Sequence, residues 1–459
     1  MTDFPGLEKR ETRATRPAPL QKCLAIPAVA VTLPPMNILE QVKFTELWGE
    51  KDISISMRED VNFLIGRNGS GKTTVINAIA AALTADFQTL DRIPFKSLEL
   101  RLRDVKASQH RSFIDIQKKP TKETPLVSIS YRIRSGKEDK TYSLEDIEEG
   151  PLFRDYMARP FRYRQHRVIG GLLEQLKTLV NVSWLSIHRT PSRPVREERS
   201  FESSVDQKLD QLGSELVKFF SALTSKGEAE TSKFQQLVFL SLLERMSEWE
   251  AIESVKKLNL DEEQAALTQI FGRFKLRQQQ FEQEIKQQFE LVRAAIERQE
   301  KGEKGLPFAE LSAVVGMWPI HKVVQEWNNL IARQNEIFEP RDSFLRLLNE
   351  QLRNKRLEIN DKNELQPVLS SNKRMPLREL SSGEKQLVII LGEALLQEKA
   401  PWIYIADEPE LSLHVSWQEK LTSNLRQVNP NAQILFATHS PDIVSSYRDR
   451  VIDMEQFVA

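Results

Sequence analysis

Residues 66 to 73 read Gly-Arg-Asn-Gly-Ser-Gly-Lys-Thr and meet the spacing G-x-x-x-x-G-K-[ST] at every position. Glycines so placed let backbone N–H groups close around phosphate, and the positive end of a following helix points at the same charge. This spacing lets Lys72 reach β- and γ-phosphates and puts the Thr73 hydroxyl on Mg²⁺. Gly66, Arg67, Asn68, Gly69, Ser70, Gly71, Lys72, Thr73 and the adjoining Thr74 form the candidate nucleotide-binding set. The glycines alone would also suit an ordinary tight turn. The flanks favour the phosphate loop: Val61, Phe63, Leu64 and Ile65 make a buried-strand run, and Val75, Ile76, Ile79, Ala80 and Leu83 carry helical spacing.

Three later segments present polar groups at the ends of apolar elements. Leu380-Ser381-Ser382-Gly383-Glu384-Lys385-Gln386 precedes an apolar helix through Leu387, Ile390, Leu391, Ala394 and Leu395. Serines and a glycine at a helix start make either a second anion-receptive end or a simple N-cap. Trp402 to Ala406 reads as a buried strand ending in Asp407-Glu408, and open α/β sheets bind ligands at the C-terminal ends of their strands. There Asp407 can hold Mg²⁺ through its water shell and Glu408 can polarise an attacking water. Ile434 to Ala437 is one more core strand, delivering Thr438-His439-Ser440. A lone histidine at such a place is more often a satisfied core residue; the company of His439 makes it a catalytic candidate.

These segments need a scaffold, and hydrophobic periodicity supplies one. Asn37 to Met57 predicts two strands broken near Gly49, with Ile53, Ile55 and Met57 alternating against Ser54 and Ser56. Asp91 to Lys119 is mixed. Val127, Ile129, Tyr131 and Ile133 alternate, turn at Ser135-Gly136 and return through Tyr142 and Leu144, a hairpin pattern. The fold expected is α/β, a parallel nucleotide-binding sheet beside a small antiparallel one. Between Phe153 and Arg199, Arg154, Arg159, Arg162, Arg164 and Arg167 cluster around Phe161 and Tyr163, followed by Arg189, Arg193 and Arg196. Such a stretch can grip a phosphate backbone, face solvent or bind a protein, and no recognisable nucleic-acid module accompanies it. Within it, Val182 to Ile187 reads as a core strand.

From Val205 to Arg353 helix dominates, with Val205, Leu209, Leu212, Leu216, Phe219 and Phe220 on one apolar face. Phe271 to Glu300 carries Phe274, Phe281, Ile285, Phe289 and Val292 as an apolar line and suggests a helical arm, without the sustained heptads of a long coiled coil. Gly302 to Pro319 is expected to break the helices, and His321 to Asn354 to resume them.

The 459 residues carry 65 basic and 65 acidic side chains, so no global charge draws the chain to nucleic acid or to an anionic membrane. A single cysteine, Cys23, excludes an internal disulfide framework and a cysteine-built zinc site and suits a reducing cytoplasm. No run approaches the ~18 apolar residues that a spanning helix needs. Residues 1–35 read as a disordered extension rich in Pro, Thr and Arg, with Met36 an alternative start; Pro27 weakens the reading of Leu24 to Leu33 as a secretion signal.

Taken in order, the four polar segments resemble the ATP-binding cassette (ABC) ATPases: Gly66 to Thr73 the Walker A loop, Leu380 to Gln386 the signature, Trp402 to Glu408 Walker B and His439 the switch histidine, with Glu410 to His414 similar to a D-loop. The form LSSGEKQ, the tract Asp407-Glu408-Pro409-Glu410 and Thr438-His439-Ser440-Pro441 are most similar to the branch holding RecF, SMC-like repair ATPases, OLD proteins and stand-alone ATPases of phage defence. Ser382 stands where the wider family usually has glycine. A Q-loop glutamine is sought among Gln109, Gln117 and Gln165.

The resemblance implies residues 36–200 and 357–459 as two halves of an ATPase head, with 201–356 inserted as a helical arm. It implies ATP and Mg²⁺, with Glu408, His439 and Lys72 as catalytic residues, Thr73 and Asp407 at the metal, and Ser381 and Gly383 touching nucleotide on a second copy, so that ATP sits between subunits of a homo-oligomer. Size and layout look like the ATPase subunit of PARIS anti-phage systems, with the PtuA ATPase of Septu systems next. Because the chain stops soon after His439, without room for a TOPRIM domain, that likeness implies a separate TOPRIM-type nuclease and a phage protein as trigger. A DNA-repair ATPase is the alternative from another class, DNA binding being open. No membrane partner is implied.

Overall fold

The computed structural model describes residues 37–107, 110–120, 127–144, 158–185, 204–241, 243, 248–273, 278–303 and 305–458, all within one unit, Pro35–Ala459. The extension at 1–35, Gln109, Arg154, Phe274 and the arginines at 189, 193 and 196 lie outside them, as do the side chains of Arg159 to Arg167.

Strands β1 (Asn37–Leu47) and β2 (Lys51–Ser56) are followed by β3 (Val61–Ile65), which runs through the glycine loop into α1 (Lys72–Thr84). After α2 (Phe87–Arg92) come β4 (Ser97–Asp104), β5 (Arg111–Pro120), β6 (Val127–Ser135) and β7 (Glu138–Leu144), giving an antiparallel sheet ordered β2-β1-β4-β5-β6-β7. The mixed stretch Asp91 to Lys119 thus holds two strands. Leu98, Leu100, Leu102, Ile114 and Ile116 are buried, while Glu99, Arg101, Arg103 and Asp115 alternate with them on the other face and mask the pattern. The arginine-rich stretch begins α3 (Ala158–Leu179), which leads to β8 (Val182–Leu185).

Helices α4 (Ser204–Ser241), α5 (Glu248–Val255), α6 (Leu260–Arg273), α7 (Gln278–Glu300) and α8 (Phe308–Asn349) follow. The expected break from Gly302 to Pro319 is corrected here: α8 starts at Phe308 and contains both Pro319 and Pro340. An internal proline forfeits one backbone bond and crowds the preceding turn. Packing carries the helix across, because Ala313, Val314, Met317 and Val324 on both sides of Pro319 are buried in one core. The pair β9 (Lys355–Ile359) and β10 (Leu365–Leu369) returns the chain to α9 (Ser382–Leu396), β11 (Ile403–Asp407), α10 (Val415–Val428), β12 (Gln433–Ala437), α11 (Pro441–Val444), β13 (Val451–Asp453) and α12 (Glu455–Val458). The parallel sheet is ordered β13-β3-β12-β11-β8.

Period-two alternation lets β11 serve two cores. Ile403 and Ile405 join α1 and the antiparallel sheet in one, while Tyr404 and Ala406 join α9, α10, the first half of α4 and the end of α8 in another. A third core, built on Leu267, Phe289, Val292 and Met317, belongs to α5, α6, α7 and the first part of α8.

The two sheets are stitched by one side chain. Gln433, 1% exposed at the start of β12, accepts from Leu39 N (2.8 Å) and donates to Leu39 O (2.8 Å) and Arg58 O (2.6 Å). It bonds Leu39 as a neighbouring strand would, beside the bulge between Leu39 and Gln41 in the β1–β4 ladder. Gln433→Leu strands these groups in a dry setting, so unfolding stability should fall by about 3 kcal/mol. Urea unfolding checks this through a lower midpoint at unchanged slope.

Candidate nucleotide site

Backbone bonds that run past the strand ends fix the site. Thr438 N donates to Leu64 O (3.1 Å), Glu408 N to Ala437 O (2.8 Å) and Met454 N to Ile65 O (2.9 Å), so β3, β11, β12 and β13 finish at one edge. The loop from Gly66 to Gly71 leaves that edge and turns into α1.

Gly69 and Gly71 both have φ of 86°, a left-handed conformation that costs other residues about 1–2 kcal/mol. Gly71 caps α1 without a side chain, and no acid occupies the first turn, so the helix's leading N–H groups remain available to an anion. The Ser70 hydroxyl is buried and unpartnered inside the loop. Lys72 folds back, donating Nζ to Gly66 O (2.8 Å) and Arg67 O (3.1 Å). Burial pushes its ammonium below the usual lysine range, opposed by the carboxylates of Glu408, Asp407 and Glu455. Behind the loop, Glu455 accepts from Arg67 N (2.9 Å).

From β11, Asp407 Oδ1 accepts the Thr73 hydroxyl at 3.2 Å across 334 positions of sequence. Glu408 has φ of 50°, and this turn out of the strand aims it into a cavity of about 280 Å³. Lys72, Thr73, Thr74, Glu408 and His439 line that cavity together with Asn68, Gly69 and Gly71; Gly66, Arg67, Ser70 and Asp407 are not part of its lining. His439 is exposed at its rim.

The cradle fits a polyphosphate, because it offers an uncapped helix start, an orphaned hydroxyl and a buried cation. Among the described residues no trio of His, Cys, Asp or Glu could hold a metal unaided. A divalent ion would therefore rest on Thr73, Asp407 and the phosphates themselves, as Mg²⁺ commonly does, and would neutralise phosphate charge.

Ser381 and Gly383 do not line this cavity. Ser381 caps α9: its hydroxyl accepts from Glu384 N at a long 3.5 Å, and Glu384 returns a carboxylate to Ser381 N at 2.8 Å. Burial alone would raise the Glu384 carboxyl, yet the Ser381 N–H and the Lys355 ammonium (3.0 Å) hold it below the usual range. Gly383 is buried because the Ser412 carbonyl presses where a Cβ would stand. Gln117 sits on β5 bonded to Asp115 (3.0 Å), within the antiparallel sheet.

One residue at the site, Trp48, has no place in the sequence motifs, and another, Glu410, stands in one without its contacts being legible there. The Trp48 indole lies over Gly71, in the space a Cβ there would fill, and faces the cavity, where an aromatic surface can stack a base. Its only sequence signal is an aromatic just after a strand. Glu410 is buried and accepts from Thr438, His439 and Ser440.

A strand, a glycine loop over an uncapped helix and carboxylates at the end of a parallel strand two places away in the same sheet define a P-loop nucleotide-binding protein. The model of the AAA ATPase domain family matches residues 48–444, and the chain belongs to that family. Among solved structures, the chain is similar to the Smc head domain with an extended coiled coil, bound to the C-terminal domain of ScpA, from Pyrococcus furiosus. That match has 12% identity and a TM-score of 0.42 over 92% of this chain and 98% of that one. The Smc head domain with a coiled coil and joint from Pyrococcus yayanosii gives 13% and 0.40 over 89% and 93%. Family membership follows from the domain match over residues 48–444 alone. No helix among the described residues is long and apolar enough to cross a membrane.

Nucleotide titration followed by tryptophan emission should saturate in the native chain and lose its amplitude in Trp48→Phe. Lys72→Ala, which leaves phosphate charge unmatched, should weaken binding roughly 10- to 100-fold.

Proposed function

We propose that the chain is an ATP-hydrolysing, Mg²⁺-dependent ATPase of the ABC type, in the branch of RecF, SMC and OLD proteins. The observation that carries this reading is the single cavity lined by Lys72, Thr73, Glu408 and His439. Lys72 and the loop would grip the β- and γ-phosphates, Thr73 and Asp407 would hold the metal, Glu408 would polarise the attacking water and His439 would meet the γ-phosphate. Residues 36–200 and 357–459 make the head and 201–356 the helical insertion.

Ser381 and Gly383 act in trans. ATP bound in one subunit draws the α9 start of a second copy onto it, closing two equivalent sites by symmetry. The weak cap bond at Ser381 suits this role, since a 3.5 Å contact is readily exchanged for a phosphate oxygen. The γ-phosphate adds contacts that ADP lacks, and a difference on the order of a few kcal/mol swings a two-state equilibrium. The output is conformational: the oligomer is the sensor and scaffold of a cytoplasmic anti-phage complex, like the PARIS ATPase AriA, holding a separate TOPRIM-type nuclease until a phage protein triggers release. What supports this is the likeness of LSSGEKQ, DEPE and THSP to that branch.

Glu408→Gln should bind ATP, turn over at least about 100-fold more slowly and accumulate as a closed oligomer in sedimentation; unchanged turnover removes Glu408 as the base. Ser381→Arg should bind ATP as a monomer yet fail to associate. For the biological role, affinity purification from the native host should recover a nuclease. Steeply salt-dependent DNA affinity without one would favour a repair ATPase, and a nuclease of another type than TOPRIM would favour a PtuA-like ATPase.

A further inference from the structure

The loop after β11 does more than carry Glu408. Glu410 is 7% exposed, and one of its oxygens gathers the turn that follows β12: it accepts from Thr438 Oγ1 (2.5 Å), His439 N (3.0 Å) and Ser440 N (3.3 Å). Its other oxygen is buried with no partner. A second clamp closes the same turn, since Ser440 Oγ donates to Gln418 Oε1 (2.7 Å) and Gln418 Nε2 donates to Leu413 O (2.9 Å). On the far side of the loop, Gln386 of α9 donates Nε2 to Pro409 O (2.8 Å), and the Ser412 carbonyl presses against Gly383. The loop from Pro409 to Leu413 is therefore wired to the start of α9 through Pro409 and Ser412 and to the backbone of His439 through Glu410.

A buried carboxylate is expensive to keep unless its bonds serve a purpose, and three donors on one oxygen fix the path of residues 438–440 closely. We propose that Glu410 is a positioning residue: it sets His439 at the cavity rim through that residue's backbone and ties its placement to the α9 segment. This rests on the reading of His439 as the group that meets the γ-phosphate. Glu410 does not line the cavity. Its oxygen acts as a hydrogen-bond acceptor, so an amide of the same shape can replace it, whereas a methyl cannot.

Full-length Glu410→Ala, Glu410→Gln, His439→Ala and the Glu410→Ala/His439→Ala double variant are compared by steady-state ATP hydrolysis and by nucleotide affinity without turnover. Glu410→Ala should lower kcat about tenfold or more while changing nucleotide affinity less than about threefold, because the phosphate loop is untouched. Glu410→Gln should recover kcat to within about threefold of the native chain. The double variant should be no slower than His439→Ala alone, since both changes remove the same contact. The proposal is overturned if Glu410→Ala hydrolyses ATP normally, if it loses affinity as much as kcat, if Glu410→Gln is as slow as Glu410→Ala, or if the two losses multiply. A His439→Ala chain that binds and hydrolyses ATP normally overturns the reading of His439, and this inference with it. Normal turnover in Glu410→Ala beside an impaired His439→Ala overturns the inference alone.

Discussion

The site depends on the parallel ladder that joins β3 to β12 and β12 to β11. Pairing Ile434 with Val61 and Asp407 with Ala437 forces three strands from distant parts of the sequence to end together. A slip of one residue would turn every side chain of a strand to the opposite face. The strands are buried on both sides by cores of different composition, so such a slip is strongly disfavoured, and the ladder needs no help from the loops it positions.

Two helix starts built from similar small residues meet different fates. α1 begins at a glycine with no side chain to offer, which leaves its N–H groups unclaimed. α9 begins at Ser381 and closes a capping box with Glu384, so its N-terminus is satisfied within the chain. The first is a standing anion site. The second is self-sufficient in the monomer, and the proposed contact with a second copy asks it to exchange one long bond.

Much of this was legible in the sequence. The segments that meet at the cavity were all visible as apolar runs ending in polar residues, because a doubly buried strand is unbroken in character and its end is abrupt. β4 and β5 were not, since charged residues line their outer face. The helix through Pro319 defied the breaker rule because core contacts on both sides outweigh one missing bond. Trp48 could not be read at all, and Glu410 could be read only as part of a motif tract: an indole over Gly71 and a carboxylate under His439 are facts of tertiary contact, and neither has a local periodicity to announce it.

Strand β12 is short, about 17 Å from end to end, and unusually well anchored. Gln433 pins its first residue to the outer sheet, and its last residue hands the chain to Thr438 and His439. Leu39 of the outer sheet and His439 at the cavity rim are thus joined by the length of one short, fully buried strand.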